Sequence, residues 1–222
     1  QSSGPSNRLM RSEMLFMWLQ EERTLLSVRN VLEVDGEDVP DAKQRLDDLL
    51  RDAASGRITR FRELLDESAR FNLGTVHRNF PDATLALQFL APAYQHRFTF
   101  TLADTSTIER LTVAKLDFAE DKRPTVITSE GVDVFSNGSL WVRPSDGVVV
   151  RTKLALTIPN NLTAEITVDY THDPRLDMWV PSRMTEQYVQ ASFSLKEQIN
   201  CVASYSNFRR FETSGRLITP QP

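Results

Sequence analysis

Beyond residue 93, apolar residues recur at every second position over long stretches of the chain. The clearest example is the segment AEITVDY, where apolar and polar residues alternate from Ala164 to Tyr170. A period of two puts all apolar side chains on one face of a β-strand and all polar ones on the other. The pattern therefore predicts an antiparallel sheet with one buried and one solvated face.

Turn signals separate these alternating segments at short intervals. The sequence Pro144-Ser145-Asp146-Gly147 lies between two alternating runs and predicts a hairpin turn. Consecutive antiparallel strands joined by such turns form a meander. We expect this meander to be long enough to curve into a half-barrel.

Helical spacing of apolar residues is confined to a block at about 41–91. It predicts one helix over 40–54, a second over 57–72 and a short third over 81–92. Two or three strands are expected before this block, between 13 and 39. An apolar sheet face needs a cover, and these helices are the expected one. The predicted fold class is α+β: a curved antiparallel sheet covered on one face by two or three helices.

Length and charge limit the domain organisation and the partners. A chain of 222 residues can bury a core of its own. We expect a disordered tail over 1–10 and a single α+β domain over 11–217, with 41–91 as a helical insertion. The net charge of -4 argues against a nucleic-acid binder. No apolar run approaches the ~18 residues of a membrane span, so the protein is not expected to span a membrane.

Short motifs of catalytic or cofactor chemistry are missing from the sequence. The single cysteine, Cys201, cannot form an internal disulfide or a cysteine-based zinc site. The three histidines, His77, His96 and His172, are isolated and show no metal-ligand spacing. No phosphate-binding glycine loop or nucleophile elbow occurs. We therefore expect no cofactor, no metal site and no enzymatic activity.

One stretch, YTHDPRLDMWVPSRMTEQY (170–188), concentrates polar and reactive side chains. If the protein is an enzyme with a site built from distant residues, the candidates are His172, Asp173, Arg175 and Asp177. The other interpretation is a turn between two strands, because Pro174 cannot donate a ladder hydrogen bond and Asp suits turns. The alternation on both sides of the stretch favours the turn.

Four segments carry a resemblance to known sequences: ESARFNLG (67–74), LWVRPSDGVVVRTKL (140–154), YTHDPRLDMWVPSRMTEQY (170–188) and VASYSNFRRF (202–211). In this order they resemble a group of uncharacterised exported bacterial proteins, over most of residues 30–211. The strand-rich layout is also similar to the LolA- and LolB-type lipoprotein carriers, in which an unclosed antiparallel barrel lidded by helices holds acyl chains. The resemblance implies a periplasmic or secreted protein, and it assigns no functional residue. The start QSSGPSN lacks Met and is typical of a mature terminus, so we expect that a leader has been removed.

The apolar face of the predicted sheet is the candidate binding surface. If the helices leave space above it, the sheet can enclose a cavity for an apolar ligand. The predicted lining consists of Phe98, Phe100, Leu102, Leu154, Leu156, Ile166, Val168 and Tyr170. The alternative is a dry core in which these side chains pack directly on Phe61, Leu64, Leu65, Leu87 and Leu90.

Three functions follow from these alternatives. The first is a non-enzymatic cell-envelope or periplasmic binding protein for a lipid, lipoprotein acyl chains or another apolar ligand. The second is a protein–protein interaction or structural module with a dry core, bound to an envelope protein. The third is an enzyme with a non-local site.

Overall fold

The computed structural model describes residues 6–19, 24–54, 70–73, 82–108, 110–191 and 196–210. The chain divides into two compact units, one formed by 1–82 with 209–222 and the other by 83–208. Each unit is described by itself below. The single domain expected over 11–217 stays a prediction.

The first unit contains a three-stranded antiparallel sheet and one helix. Its strands are β1 (Met10–Leu19), β2 (Thr24–Val34) and β3 (Glu37–Asp38), in that spatial order, and its helix is α1 (Ala42–Ala54). The turn between β2 and β3 is Asp35-Gly36, and both residues have a positive φ. Strands and the first helix thus lie where the sequence predicts them.

A small core holds α1 on β2 in this unit. Val31, Val39 and Ala42 are buried together, and Phe71 is among the partly buried side chains packed against them. The Asn30 side-chain amide donates to the Ala42 carbonyl at 2.9 Å, which satisfies a polar group inside this core. Helix α1 therefore packs on the three-stranded sheet of its own unit.

The second unit is built on a seven-stranded antiparallel sheet with the order β12-β11-β10-β9-β8-β5-β4. Its strands are β4 (Phe98–Ile108), β5 (Leu111–Glu120), β8 (Ser136–Arg143), β9 (Val148–Ile158), β10 (Leu162–Asp173), β11 (Met178–Ala191) and β12 (Lys196–Ser204). A small hairpin, β6 (Ile127–Ser129) and β7 (Val132–Val134), is inserted between β5 and β8. Apart from this insertion, sequence neighbours are spatial neighbours, which confirms the predicted meander.

Alternation of side chains explains why the sheet is two-sided. In β9 the buried positions alternate with more exposed ones, and the buried positions are Val150, Thr152, Leu154, Leu156 and Ile158. The register places Leu154 opposite Ile166 and Leu156 opposite Ala164 of β10, so apolar residues face the same side across strands.

Gly138 allows β8 and β9 to approach closely. A Cβ atom at this position would lie 1.9 Å from the Lys153 carbonyl oxygen and 2.9 Å from Cζ of Phe118. No side chain larger than hydrogen fits there without moving backbone. The pairing of Gly138 with Leu154 therefore depends on this glycine.

The α+β class, with two or three helices on the sheet, is wrong. The structure is 60% strand and 9% helix, which makes it a mostly β protein with open antiparallel sheets. Only α1 has more than one turn of α-helix among the described residues. The predicted second helix, with Phe61, Leu64 and Leu65, falls outside them except at its end, where 70–71 form a turn.

The predicted third helix is reduced to the single turn α2 (Leu85–Gln88), followed by a 3-10 turn at Gln95–Arg97. The reason lies in its packing and its proline. Ala83, Ala86 and Phe89 are all buried at a spacing of three, so one turn already buries the apolar stripe. Pro92 then disfavours helical geometry at the residue before it.

Among the described residues, no helix is both long enough and apolar enough to cross a membrane.

Candidate functional site

Two surfaces of the second unit are candidates for function, and the first is its apolar face. We define the apolar face as the buried side chains that β9, β10 and β11 direct to one side: Leu154, Leu156, Ile166, Val168, Tyr170, Met184 and Tyr188. Each of these residues is at most 7% exposed. The face thus extends across three neighbouring strands, with Glu186 between Met184 and Tyr188 on β11, and it includes most of the predicted lining.

Phenylalanines extend the buried region around β4 and β5. The rings of Phe89 and Phe98 are stacked with their centroids 4.7 Å apart, and Phe118 meets both edge-on. Phe100 lies 6.4 Å from Phe118 and completes the cluster. Predicted lining residues Phe98 and Phe100 therefore belong to an aromatic cluster packed around Phe89.

Leu102 lies apart from the other predicted lining residues. Its side chain is 64% exposed. A register irregularity follows between Leu102 and Asp104 of this edge strand, so strict alternation does not continue through it. The structure thus brings together the predicted lining residues other than Leu102.

Polar groups occur at defined points within the apolar face. The Tyr170 hydroxyl donates to the Ala83 carbonyl at 2.6 Å, and the Tyr188 hydroxyl donates to Glu186 at 2.5 Å. The Ser136 hydroxyl, on the residue paired with Leu156, is buried and has no hydrogen-bond partner within the described part of the chain. A buried unpartnered hydroxyl is costly, so Ser136 is a polar group of the apolar face whose hydrogen-bonding capacity is unused within the described residues.

The opposite face of the sheet carries a ladder of ion pairs. Arg151 pairs with Asp169 at 2.5 Å and Lys153 pairs with Glu165 at 2.9 Å, across β9 and β10. Asp117 of β5 is hydrogen-bonded by the Ser139 hydroxyl of β8 and by Lys115. These two contacts, the first being the larger, hold the pKa of Asp117 below its usual value. Half-exposed pairs of this kind contribute little stability individually, and they make this face a solvated one.

The second candidate surface is a cleft at the turn end of the sheet. Because the strands form a meander, the β8–β9 turn (144–147) and the β10–β11 turn (174–177) lie at the same end of the sheet. Register irregularities precede both turns, between Trp141 and Val142 and between Asp169 and Tyr170. Such bulges re-aim the side chains that follow them, which is how two hairpins can share one cleft.

We call this surface the turn-end cleft and define it by its lining: Arg143, Asp146, Val148, His172, Asp177 and Trp179. It is open to solvent and has a volume of about 470 Å³. That volume lies in the range of small-molecule sites, about 300–1,000 Å³. His172 and Asp177 of the stretch 170–188 thus line an open cleft together with residues of the β8–β9 hairpin.

Arg143 is fixed in the cleft by two contacts. Its Nε donates to Asp146 Oδ1 at 2.9 Å, and a second guanidinium nitrogen donates to the other carboxylate oxygen. These bonds lower the pKa of Asp146 and raise that of Arg143, so the pair stays ionised. The guanidinium carbon lies 5.1 Å from the centroid of Trp179, in cation–π geometry.

His172 and Asp177 form the second polar pair of the cleft. Nε2 of His172 lies 3.2 Å from Asp177 Oδ1, and the imidazole centroid lies 6.1 Å from that of Trp179. Asp177 is 94% exposed at its side chain and has a φ of 49°. The Asp177 carboxylate accepts hydrogen bonds and the His172 imidazole can donate or accept them, so the pair can hydrogen-bond a ligand.

Asp173 and Arg175, the other two enzyme candidates, do not line the cleft. Arg175 donates to Asp173 from Nε at 3.1 Å and from a terminal nitrogen at 2.6 Å, and its backbone N–H donates at 2.9 Å. These hydrogen bonds lower the pKa of Asp173 to about 2. The predicted four-residue cluster therefore splits into a turn-stabilising pair and a cleft pair.

Sequence reasoning missed Arg143, Asp146 and Val148 as neighbours of His172. They are about 30 positions away along the chain, and only the register of four strands brings them together. One signal was available in the sequence: the turns of two hairpins, RPSDG and DPRLD, both contain Arg, Pro and Asp.

Metal-binding residues do not converge in the described part of the chain. No group of three or more His, Cys, Asp or Glu side chains there could hold a metal ion. Cys201 is a partly buried residue of β12 outside any disulfide, and it pairs with Glu186 of β11 in the sheet register.

Comparisons of this chain with protein-family models, with curated proteins and with solved structures find no match.

Proposed function

We propose that this protein is a non-enzymatic binding protein of the cell envelope that holds a lipid, a lipoprotein acyl chain or another long apolar group. The observation that carries the proposal is that the apolar face extends over three neighbouring strands, β9, β10 and β11. Its place in the envelope rests on the resemblance of residues 30–211 to exported bacterial proteins.

The dimensions of the apolar face suit an extended chain. At about 3.3 Å per residue, the buried positions from Val150 to Ile158 extend over about 26 Å. Each methylene group moved from water to such a surface contributes about 0.8 kcal/mol. The buried hydroxyl of Ser136, beside Leu156, supplies one polar contact for an ester or hydroxyl group of the ligand.

A binding assay on delipidated protein tests this function. We expect a fluorescent fatty-acid analogue to bind saturably, and Leu156→Asp to abolish binding because it places a carboxylate on the apolar face. The matched control is Thr157→Asp, on the next residue, which is exposed and points to the other face. Absence of saturable binding to the native protein contradicts the proposal.

A second variant separates a ligand cavity from a dry core. Ala164 is 3% exposed and lies between Leu156 and Tyr188 in the register. If space for a ligand adjoins it, Ala164→Phe fills that space and lowers affinity while the free energy of unfolding is retained. In a packed core the same change overpacks it and costs about 1–3 kcal/mol.

If Ala164→Phe overpacks a packed core, the favoured function is a protein–protein interaction module. Leu102 on β4 and Val202 on β12 are 64% and 63% exposed, and both lie on edge strands of the seven-stranded sheet. Exposed apolar residues on an edge strand are features of a protein-binding edge. Light scattering over a range of concentrations detects self-association through these edges.

A further inference from the structure

The turn-end cleft combines features that the proposed apolar-ligand function does not use. It lies at the strand ends, whereas the apolar face runs along the strands. Its lining joins one indole and one valine side chain to a guanidinium, an imidazole and two carboxylates. These groups suit a different ligand.

Charge pairing at Arg143 selects against anionic ligands. Arg143 is bonded to Asp146 through two nitrogens, and His172 is hydrogen-bonded to Asp177 at 3.2 Å. A small anion would have to displace Asp146 from Arg143, and it would lie near two carboxylates. A neutral ligand avoids this penalty.

The polar groups of the cleft nevertheless offer many hydrogen-bond sites. Asp177 is 94% exposed at its side chain, so its carboxylate oxygens reach solvent while one accepts from or contacts His172. A carboxylate has about four lone-pair sites, and an imidazole adds a further donor or acceptor. The two oxygens of a carboxylate can accept from two hydroxyls on neighbouring carbons of a ring.

The apolar part of the lining is an aromatic ring. Trp179 borders the cleft together with Val148, and an indole has a broad apolar body with one polar tip. A ligand with one apolar C–H face and hydroxyls around its edge satisfies both parts of the lining. Saccharide rings have this distribution of groups.

We propose that the turn-end cleft is a binding site for a neutral saccharide, which packs its C–H groups against the parts of Trp179 and Val148 that line the cleft and directs its hydroxyls to Asp177 and His172. The volume of about 470 Å³ accommodates a disaccharide-sized ligand. The site adds a second, polar specificity to the protein and does not depend on occupancy of the apolar face.

Titration with three neutral disaccharides, maltose, cellobiose and N,N′-diacetylchitobiose, tests the proposal. The 222-residue chain carries Trp18→Phe and Trp141→Phe, so that Trp179 is its remaining tryptophan. We expect at least one of the three to change its fluorescence saturably below about 20 mM, a range of weak but specific binding.

Variants at two turns provide the matched comparison. Asp177→Gly removes the carboxylate and keeps a residue suited to the positive φ of 49°. It should weaken sugar binding about tenfold, as expected for losing a hydrogen bond to a charged group. Asn161→Gly makes the same kind of change at φ 57° in the turn at the other end of the sheet and should leave binding unchanged.

Two results would overturn the saccharide site. One is the absence of a saturable signal with all three sugars. The other is a signal that Asp177→Gly and Asn161→Gly affect equally. Neither result bears on fatty-acid binding, since Leu156 lies on the apolar face and outside the cleft lining.

Discussion

At the scale of single residues, Asp173 shows how the β10–β11 turn is held. Its carboxylate accepts hydrogen bonds from the side chain and the backbone of Arg175, and its pKa falls to about 2. The folded protein therefore keeps Asp173 ionised at pH values where the unfolded chain, with a pKa near 3.8, is already protonated.

We predict that Asp173→Asn lowers the melting temperature at neutral pH by a few degrees. A group whose pKa is depressed by folding adds stability above its unfolded pKa and loses that contribution as pH falls through the folded pKa. The difference between the native protein and Asp173→Asn should thus be constant above about pH 5 and shrink between pH 4 and 2. Circular dichroism melts across this range measure it.

Asp177→Asn is the control for this pH dependence, because Asp177 in the same turn is 94% exposed at its side chain. Its melting temperature should differ little from that of the native protein at any of these pH values. A difference for Asp173→Asn that stays constant down to pH 2 would contradict the role assigned to the Arg175 pair.

At the scale of elements, the pairing of β8 with β9 depends on a close approach at Gly138. The strands pair from Ser136 with Leu156 to Arg143 with Val148, and Gly138 lies near the middle of β8. This pairing also supports the β8–β9 turn, which contributes Asp146 to the turn-end cleft.

We predict that Gly138→Ala lowers the free energy of unfolding by about 1–3 kcal/mol, because the new Cβ would clash with the Lys153 carbonyl at 1.9 Å. Urea unfolding monitored by circular dichroism measures the change. Asn137→Ala, at the exposed neighbouring position, should cost much less. Equal effects of the two substitutions would mean that the strands can separate at Gly138 without loss.

Local alternation explains how much of the sheet could be predicted from the sequence. Side-chain period and turn residues are local, so the strands around Ala164 to Tyr170 and the turn at 144–147 are predicted correctly. The cover of the apolar face is a tertiary property: Ala83, Ala86 and Phe89 bury their stripe in one turn, where the sequence pattern indicated a longer helix.

The candidate sites divide in the same way. Alternation of apolar and polar residues predicts the apolar face. It fails for Leu102 on β4, which was predicted as a lining residue but is exposed beside an irregularity in the strand register. The turn-end cleft requires the register of β8 to β11, since Arg143 and His172 meet only through those pairings. Side-chain chemistry near residue 172 was visible in the sequence, but its partners were not.

At the scale of the whole molecule, the second unit contains its own structural supports. Every pairing of the seven-stranded sheet lies between Phe98 and Ser204, and the aromatic cluster lies between Phe89 and Phe118. The Tyr170 hydroxyl also bonds within the unit, to the Ala83 carbonyl. A unit with a closed set of pairings and its own core meets the physical definition of a domain.

We therefore predict that a fragment comprising residues 83–208 folds by itself. It should show the far-ultraviolet circular dichroism of a β protein and unfold in urea in one cooperative transition. Replacing Phe118, the buried ring that contacts Phe89 and Phe98, by Ala in the fragment should cost about 3–5 kcal/mol, because it leaves a cavity in the aromatic cluster. A fragment without a cooperative transition would instead support the single domain over 11–217, in which the sheet needs the remainder of the chain to fold.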